Sequence, residues 1–515
     1  MSENRKLSRE DIAKMEIGRT EVSAPLKWTF ALFFIVFITL YPVVQMVHDI
    51  RSGAPGVTAI VPEIASVRAG TPLEYASELT AGLKRFERGL EDASLLRAWL
   101  LPPVQEFLTR YLRTGNEKVI VGHDGWLFYA PDFQYVAHPG FLRPEVMRKR
   151  AEKDGVQPDP VAAIVDFKEQ LEKRGITLIV VPMPVKPTIC GRYLGGGEGV
   201  LENPSFPEFM RRLKENGVKV VELAGALSPE SYLKLDTHLT PDGVSAVGTM
   251  IDGRPSDAAV ASEQVTNCGD IAAMLKLPDV SKVFAPQTVT LTQKADAFSR
   301  DSEYLLLGDS FTNIYSASAM GWGEHAGLGE RLAGRVGQID MIARNDCGSY
   351  ATRAMLATEL KRGRDRLAGK KYVIWEFAER ELAFGDWKMI DLAPGTPPED
   401  KFVLPEPGSP LEVTGTVLAM TAAPRPGQSA YSDHLMAVHL GDIDGGDAQA
   451  LCYLVDLKNN VPGGAAALRP GDTVKLRLRN FSDRPEYESW SRSDLADESL
   501  LLQEPCFGEI EADKI

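Results

Sequence analysis

The sequence holds no extended Lys/Arg-rich block, no CxxC pair, no internal repeat and no long low-complexity tract. Its 57 lysines and arginines stand against 71 aspartates and glutamates, a net charge of −14. Without a basic cluster to neutralise phosphates, nucleic-acid binding is excluded. Cysteine is scarce: Cys190, Cys268, Cys347, Cys452 and Cys506 make five, an odd number, so at least one stays outside any intrachain pair. None stands at metal-ligand spacing from another cysteine or a histidine, so no metal and no cofactor is expected. What is present is ordinary for a globular chain, 44% hydrophobic and 25% charged residues, and 515 residues suffice for two or three cored domains.

One apolar run is long. "LKWTFALFFIVFITLYPVVQMV", Leu26 to Val47, matches the roughly 20 residues a membrane helix needs. Trp28 and Tyr41 fall near its ends, where interfacial aromatics belong. Arg5, Lys6, Arg9, Lys14, Arg19 and Lys27 precede it, whereas Arg51 and Arg68 are the only cations between it and Lys84. This bias predicts a cytoplasmic tail (1–25), an inner-membrane anchor (26–47) and an extracytoplasmic bulk. A cleaved signal peptide is the competing reading, but its core would be shorter, and "HDIRSGAPG" offers only a poor cleavage site.

Beyond a helical linker (48–115), strands and helices alternate. "NEKVIVGHDGWLFYAPD" predicts strands at 119–121 and 126–129 around a His123-Asp124-Gly125 turn. Ile164, Phe167 and Leu171 share one helix face, Gly175 ends that helix, and "ITLIVVPMP" follows as a fully apolar strand. Phe206 to Asn216 reads as a further helix before the strand "VKVVEL"; "YLLLGDS", "VGQIDMI" and "KYVIWEF" are three more strands. The alternation predicts an α/β fold, a doubly wound parallel sheet over 116–391, whose chemistry gathers beyond the carboxyl ends of its strands.

Two motifs fall at such ends. In "YLLLGDSFTNIYS" a buried strand runs into Gly308, Asp309 and Ser310, so Ser310 is either a nucleophile or the cap of the next helix. In "SYLKLDTHLTPDG" Asp236 and His238 are two apart and point the same way in extended backbone, just before a helix capped by Thr240 and opened by Pro241. A serine alcohol needs a base to take its proton, and a base of this kind needs a carboxylate to hold its tautomer. Ser310, His238 and Asp236 supply all three. Asp236 and His238 also have the chemistry of metal ligands, but no third ligand is evident nearby. The remaining histidines, His48, His123, His138, His325, His434 and His439, carry no partner signature.

"GDSF" and "DTHLTPDG", with the upstream "GHDGWLFY", resemble the alginate O-acetyltransferase family of the AlgJ/AlgX type. The serine motif comes after the Asp/His motif, the reverse of ordinary SGNH hydrolases and the order of that family. The resemblance covers about 115–390. It implies an SGNH-hydrolase-like domain facing the periplasm, with Ser310 as nucleophile, His238 as base and Asp236 as the orienting acid. It further implies an exopolysaccharide acceptor and a multi-pass membrane acyltransferase as acetyl donor. The Ser310 N–H, with Asn313 as a second candidate, would stabilise the oxyanion. Lys186, Arg192, Lys234 and Arg344 are candidates for lining a groove for a polyanion such as alginate, although an acidic chain suits cellulose or another neutral glycan. Two other readings share these residues: an esterase that removes acetyl groups, and a non-catalytic glycan-binding scaffold, against which the intact triad argues.

After a Pro-rich linker (392–410), "LEVTGTVLAM", "HLMAVHL", "ALCYLVDL" and "GDTVKLRLRNF" predict a small β-domain over 411–515, an OB-like barrel or a sandwich. Tyr431, Tyr453, Phe481, Tyr487 and Trp490 either stack on sugars or serve as core. Cys452 and Cys506, the only cysteines there, are expected to form a disulfide.

Overall fold

The computed structural model describes residues 23–52, 94–154, 156–195, 201–253, 261–294, 296–345, 347–395, 401–421, 423–424, 433–459, 461–487, 490–495, 500 and 503–510, with a few isolated residues near the N-terminus. Tyr431 and the basic residues Arg5, Lys6, Lys14, Arg19 and Arg68 lie outside them. Two compact units divide the chain, Met1–Val104 and Gln105–Ile515.

In the first unit, helix α1 (Ala24–Ser52) carries the apolar run. Its stretch Ala24–Asp49 spans 26 residues, about 39 Å at 1.5 Å per residue, more than the hydrocarbon core of a bilayer. Trp28, Phe33 and Phe37 stand exposed along it, as side chains that meet lipid do. One apolar helix of this kind is compatible with a single-pass anchor.

In the second unit a five-stranded sheet is built from β1 (Thr177–Met183), β2 (Lys219–Val220), β3 (Tyr304–Gly308), β4 (Asp340–Ala343) and β5 (Tyr372–Ala378). The strand order is β2-β1-β5-β3-β4, with every pairing parallel. The strand expected over 218–223 shrinks to two residues because it lies at the sheet edge, paired on one side only. Alternate residues of the inner strands enter two separate cores. Leu178, Val180, Leu305, Leu307, Val373 and Trp375 join one, packed with Phe167 and Leu171 from the predicted helix. Val181, Met183, Leu306 and Ile374 join the other, with Val244, Leu328 and Leu332. Burial on both faces explains why these strands read as continuous apolar runs.

The C-terminal region forms β6 (Leu411–Met420), β7 (His434–Gly441), β8 (Ala450–Lys458), β9 (Thr473–Asn480), β10 (Ser491–Ser493) and β11 (Cys506–Ile510). Five of them close on themselves in the order β8-β11-β9-β6-β7 and back to β8, a barrel; β10 adds to β7 in parallel. Val413, Met436, Val438, Leu454, Leu476 and Leu478 fill its interior. Tyr453, Trp490 and Phe507 pack on its outside, with Phe481 and Tyr487 against them. Four of the aromatics proposed to stack on sugars therefore cover one another.

The expected disulfide is not formed. Cys452 and Cys506 are register partners on β8 and β11, and both are buried thiols. The two thiols contact each other unoxidised, with Cys452 Sγ also bonded to Val438 O and Cys506 Sγ to Leu451 O.

Candidate active site

The site is built at the carboxyl ends of β3 and β4 and on the loop carrying Asp236. At the end of β3, Asp309 caps the next helical turn, Ser310–Asn313: its Oδ1 accepts from Phe311 N at 2.9 Å and its Oδ2 from Ala378 N at 2.8 Å. Ser310 is thus not the cap. It is the first residue of the turn, 1% exposed. The turn starts this tightly because position 308 is glycine: a Cβ there would fall 2.1 Å from Thr312 Oγ1. Behind it, buried Glu376 accepts from Asp309 N at 3.0 Å and Thr312 Oγ1 at 2.8 Å. Burial, with the charge of Asp309 nearby, raises the Glu376 carboxyl well above the usual range.

Asp236 and His238 are buried together, with His238 Nδ1 2.7 Å from Asp236 Oδ1. A carboxylate only accepts, so Nδ1 carries the proton and the neutral ring leaves a lone pair on Nε2. Asp236 Oδ2 accepts from Trp322 Nε1 at 2.8 Å and Asp270 N at 2.9 Å. Burial opposes ionisation of Asp236, but the His238 and Trp322 bonds overcome it and hold the carboxyl far below the usual carboxylate range. Burial likewise disfavours a charged His238, yet the bond to Asp236 and the carboxylates of Asp236 and Asp270 win, and its pKa is raised. Asp270 Oδ2 lies 3.7 Å from Nδ1, and Oδ1 accepts from Thr237 N at 2.7 Å. Burial, then the charge of Asp236, push the Asp270 carboxyl up to about 6.

Neither Asp270 nor Trp322 has a local signature in the sequence. Asp270 follows the first strand of an antiparallel hairpin, Ala261–Asn267 with Gln287–Gln293, and the same hairpin holds the segment before Trp322. Asn267 Nδ2 holds Gly321 O at 2.8 Å, beside Trp322. Gly269, at φ +86°, lets the chain pass where a Cβ would meet Leu235 O at 2.7 Å. Asp236, His238 and Asp270 also place their ligand atoms within 4.8 Å of one another, as a cation site would. Both oxygens of Asp236 are already engaged by N–H donors, which a cation would have to displace, so the arrangement fits a positioned imidazole better.

His238 and Ser310 line one cavity of about 590 Å³, within the range of small-molecule sites. His238 Nε2 and Ser310 Oγ are buried and have no hydrogen-bond partner among the described residues. The wall includes Thr237, Asp270, Asp309, Asn345, Arg344 and Arg380, and from the barrel His434, Ser491, Arg492 and Ser493. Asn313 does not reach it. Its amide donates to Asn345 Oδ1 at 2.7 Å, and Asn345, beyond the end of β4, is the residue on the wall.

Of the candidate groove cations only Arg344 lines the cavity, and it is engaged with the barrel, Nη1 2.9 Å from Asp494 Oδ2 and Nη2 on Arg492 O. Lys186 is fully buried, its ammonium donating to Leu127 O, Lys234 O and Asp236 O at 2.7–2.9 Å. It fastens the loop that carries Asp236, and burial lowers its pKa to about 8. Arg192 is exposed on Glu230 and Tyr193, and Lys234 is exposed as well. Arg380, missed in the sequence, sits on the wall with Nη1 3.1 Å from buried Asp132 Oδ1.

Residues 119–379 match the family model described as "SGNH hydrolase-like domain, acetyltransferase AlgX". The chain is 23% identical over 197 residues to the probable alginate O-acetylase AlgJ of Pseudomonas aeruginosa, covering 35% of this chain and 46% of that protein. To the protein of the same name from Pseudomonas syringae pv. tomato it is 23% identical over 303 residues, covering 52% of this chain and 70% of that one. Among solved structures it is similar to the O-acetyltransferase domain of Pseudomonas putida AlgJ, with TM-score 0.39 and 21% identity over 52% of this chain and 93% of that one. The chain thus spans less than half the length of the first of these relatives. With half of its own length matched by the family model, the chain belongs to the SGNH hydrolase-like AlgX/AlgJ acetyltransferase family.

Proposed function

We propose that this protein transfers acetyl groups to hydroxyls of an exopolysaccharide through an acetyl-serine intermediate on Ser310. The observation that carries the reading is the Asp236–His238 pair, 2.7 Å apart, whose unpartnered Nε2 shares one cavity with the unpartnered Ser310 Oγ. Buried polar atoms without partners are rare away from sites that need them.

His238 Nε2 takes the Ser310 proton as Oγ attacks the acetyl carbonyl, then returns it to the leaving group. A sugar hydroxyl, deprotonated by the same nitrogen, attacks the ester and releases Ser310. The Asp236 carboxylate holds the tautomer and stabilises the imidazolium formed in each step. The Ser310 N–H and the amide of Asn345, steadied by Asn313, are suited to the developing oxyanion. In this reading 116–391 is the transferase domain, the apolar helix anchors it in the inner membrane with the bulk in the periplasm, and a multi-pass membrane acyltransferase delivers acetyl.

Supplying p-nitrophenyl acetate with acetyl-free oligosaccharides tests it. Acetylated sugar in the wild type, lost in Ser310→Ala and His238→Ala, is the expected result. Ester hydrolysis with no acetylated sugar for any acceptor would favour the deacetylating reading, and an unchanged Ser310→Ala would refute catalysis at this serine.

A further inference from the structure

The barrel carries a second serine, histidine and aspartate in one hydrogen-bonded line. His434 opens β7, Asp456 lies near the end of β8, and Ser493 ends β10. His434 Nδ1 is 2.8 Å from Asp456 Oδ1 and 3.0 Å from Oδ2, and His434 Nε2 is 3.0 Å from Ser493 Oγ. The carboxylate can only accept, so Nδ1 bears the proton and Nε2 accepts the Ser493 hydroxyl. These are the protonation roles of a serine nucleophile's base and its orienting acid.

Local structure supports the assignment. His434 pairs with Leu457 and Leu435 with Val455, so the ladder skips one residue, and that residue is Asp456. A bulge of this kind re-aims a side chain, and here the re-aimed group is the carboxylate that holds His434. Asp456 and His434 are 0% and 3% exposed, whereas Ser493 is only partly buried. His434 and Ser493 both lie on the wall of the cavity that Ser310 and His238 line. Beyond Ser493, Asp494 is fixed by Arg344 and by the Tyr453 hydroxyl, so the short strand is held from both the sheet and the barrel. The hydroxyl satisfies the buried Nε2 and stands on the cavity wall, where a ligand can reach it.

We infer that Ser493, His434 and Asp456 form a second nucleophilic site on this cavity, which takes a short acyl group from an activated ester. The Ser493 Oγ–acyl bond forms as the bond from the carbonyl to the leaving oxygen breaks. The hydroxyl proton passes to His434 Nε2 and on to the leaving oxygen; a second hydroxyl or water then removes the acyl group by the reverse traffic. The acyl class rests on the proposed function above; the residues rest on the barrel geometry alone.

The full-length chain with Ser310→Ala, exposed to p-nitrophenyl acetate or to a fluorophosphonate and mapped by peptide mass spectrometry, tests it. The expected result is an adduct on Ser493, absent from Ser310→Ala/Ser493→Ala and formed about a hundred-fold or more slowly in Ser310→Ala/His434→Gln. Ser493→Ala is expected to lower the melting temperature by only a few degrees, the loss of one hydrogen bond, which separates lost chemistry from lost fold. No adduct on Ser493 in Ser310→Ala, or an equal labelling rate with His434→Gln, overturns the inference while leaving the Ser310 reading intact if the wild type labels there. Adduct on Ser493 with none on Ser310 does the reverse.

Discussion

Two histidine–aspartate pairs of nearly equal length, 2.7 Å in the sheet domain and 2.8 Å in the barrel, face one cavity but are assembled differently. In the sheet domain both members ride on one loop, two residues apart, and the serine comes from a separate strand end with no hydrogen bond to the ring. In the barrel all three groups sit on separate strands and are already bonded. The open arrangement leaves two buried polar atoms unpaired, at a cost of about 1–3 kcal/mol each. The closed one has its serine bonded to its base before any substrate arrives. The difference points to Ser310 as the site where a bound ester bridges serine and base, the geometry that often tightens only once substrate is present.

The largest way to break the comparison is to remove the base of the open site. His238→Ala and Ser310→Ala are each expected to lower kcat/KM for acetyl transfer to sugar by about 10³–10⁴-fold or more. Circular dichroism should stay native, because neither residue caps a helix and both border the cavity. Activity within about ten-fold of wild type in either variant would put the chemistry elsewhere.

A smaller effect is expected from Trp322→Phe, which keeps an aromatic ring, though a smaller one, and deletes the N–H on Asp236 Oδ2. Losing a hydrogen bond to a charged group, about 1.5–3 kcal/mol, corresponds to about a ten- to hundred-fold fall in kcat. KM should stay nearly constant, since Trp322 positions the acid and not the sugar. A change confined to KM would show that this loop binds substrate.

Arg344→Ala cuts the tie between the sheet domain and Asp494. Asp494 keeps partial contact with water, so the expected loss is about 1–2 kcal/mol, below that of a fully buried pair. Hydrogen exchange should rise first at Ser491–Ser493 and not in the central strands. Uniform loosening would mean that the barrel and the sheet do not open separately.

The finest test uses pH. In the proposed mechanism the neutral ring is the base, so kcat/KM should rise as pH climbs through the His238 pKa, which lies above the ordinary 6.5. Asp270 puts a carboxylate 3.7 Å from Nδ1 and stabilises the charged ring. Asp270→Asn removes that charge and keeps an acceptor for Thr237 N. The ascending limb should therefore move to lower pH, by less than about one unit. A limb that stays put would show that Asp270 does not act through the ring.

How much of this was legible in the sequence follows from the same contrast. The parallel strands announced themselves because burial on both faces makes them apolar throughout, and "GDS" and "DTH" are contiguous at strand ends. The partners of Asp236 were not legible, since Asp270 follows a hairpin strand, Ala261–Asn267, that is largely exposed and polar, and Trp322 comes from a distant segment that this hairpin braces. Asn313 lies one hydrogen bond behind Asn345, the residue that lines the cavity. Lys186 was misread because a lysine in a Pro-rich loop suggests a surface, and only the fold brings three carbonyls to its ammonium. His434 was passed over because its acid and serine stand 22 and 59 residues away on other strands, and a bulge has no sequence mark of its own.

The most direct test of the central claim is to trap the intermediate. The wild-type chain is exposed briefly to p-nitrophenyl acetate without acceptor, quenched in acid and mapped, then chased with an oligosaccharide acceptor. The account predicts an acetyl group on Ser310 that disappears at the rate at which acetylated sugar forms. Acetylated sugar formed with no acetyl ever found on Ser310, or an acetyl-Ser310 that the acceptor fails to discharge, would contradict it.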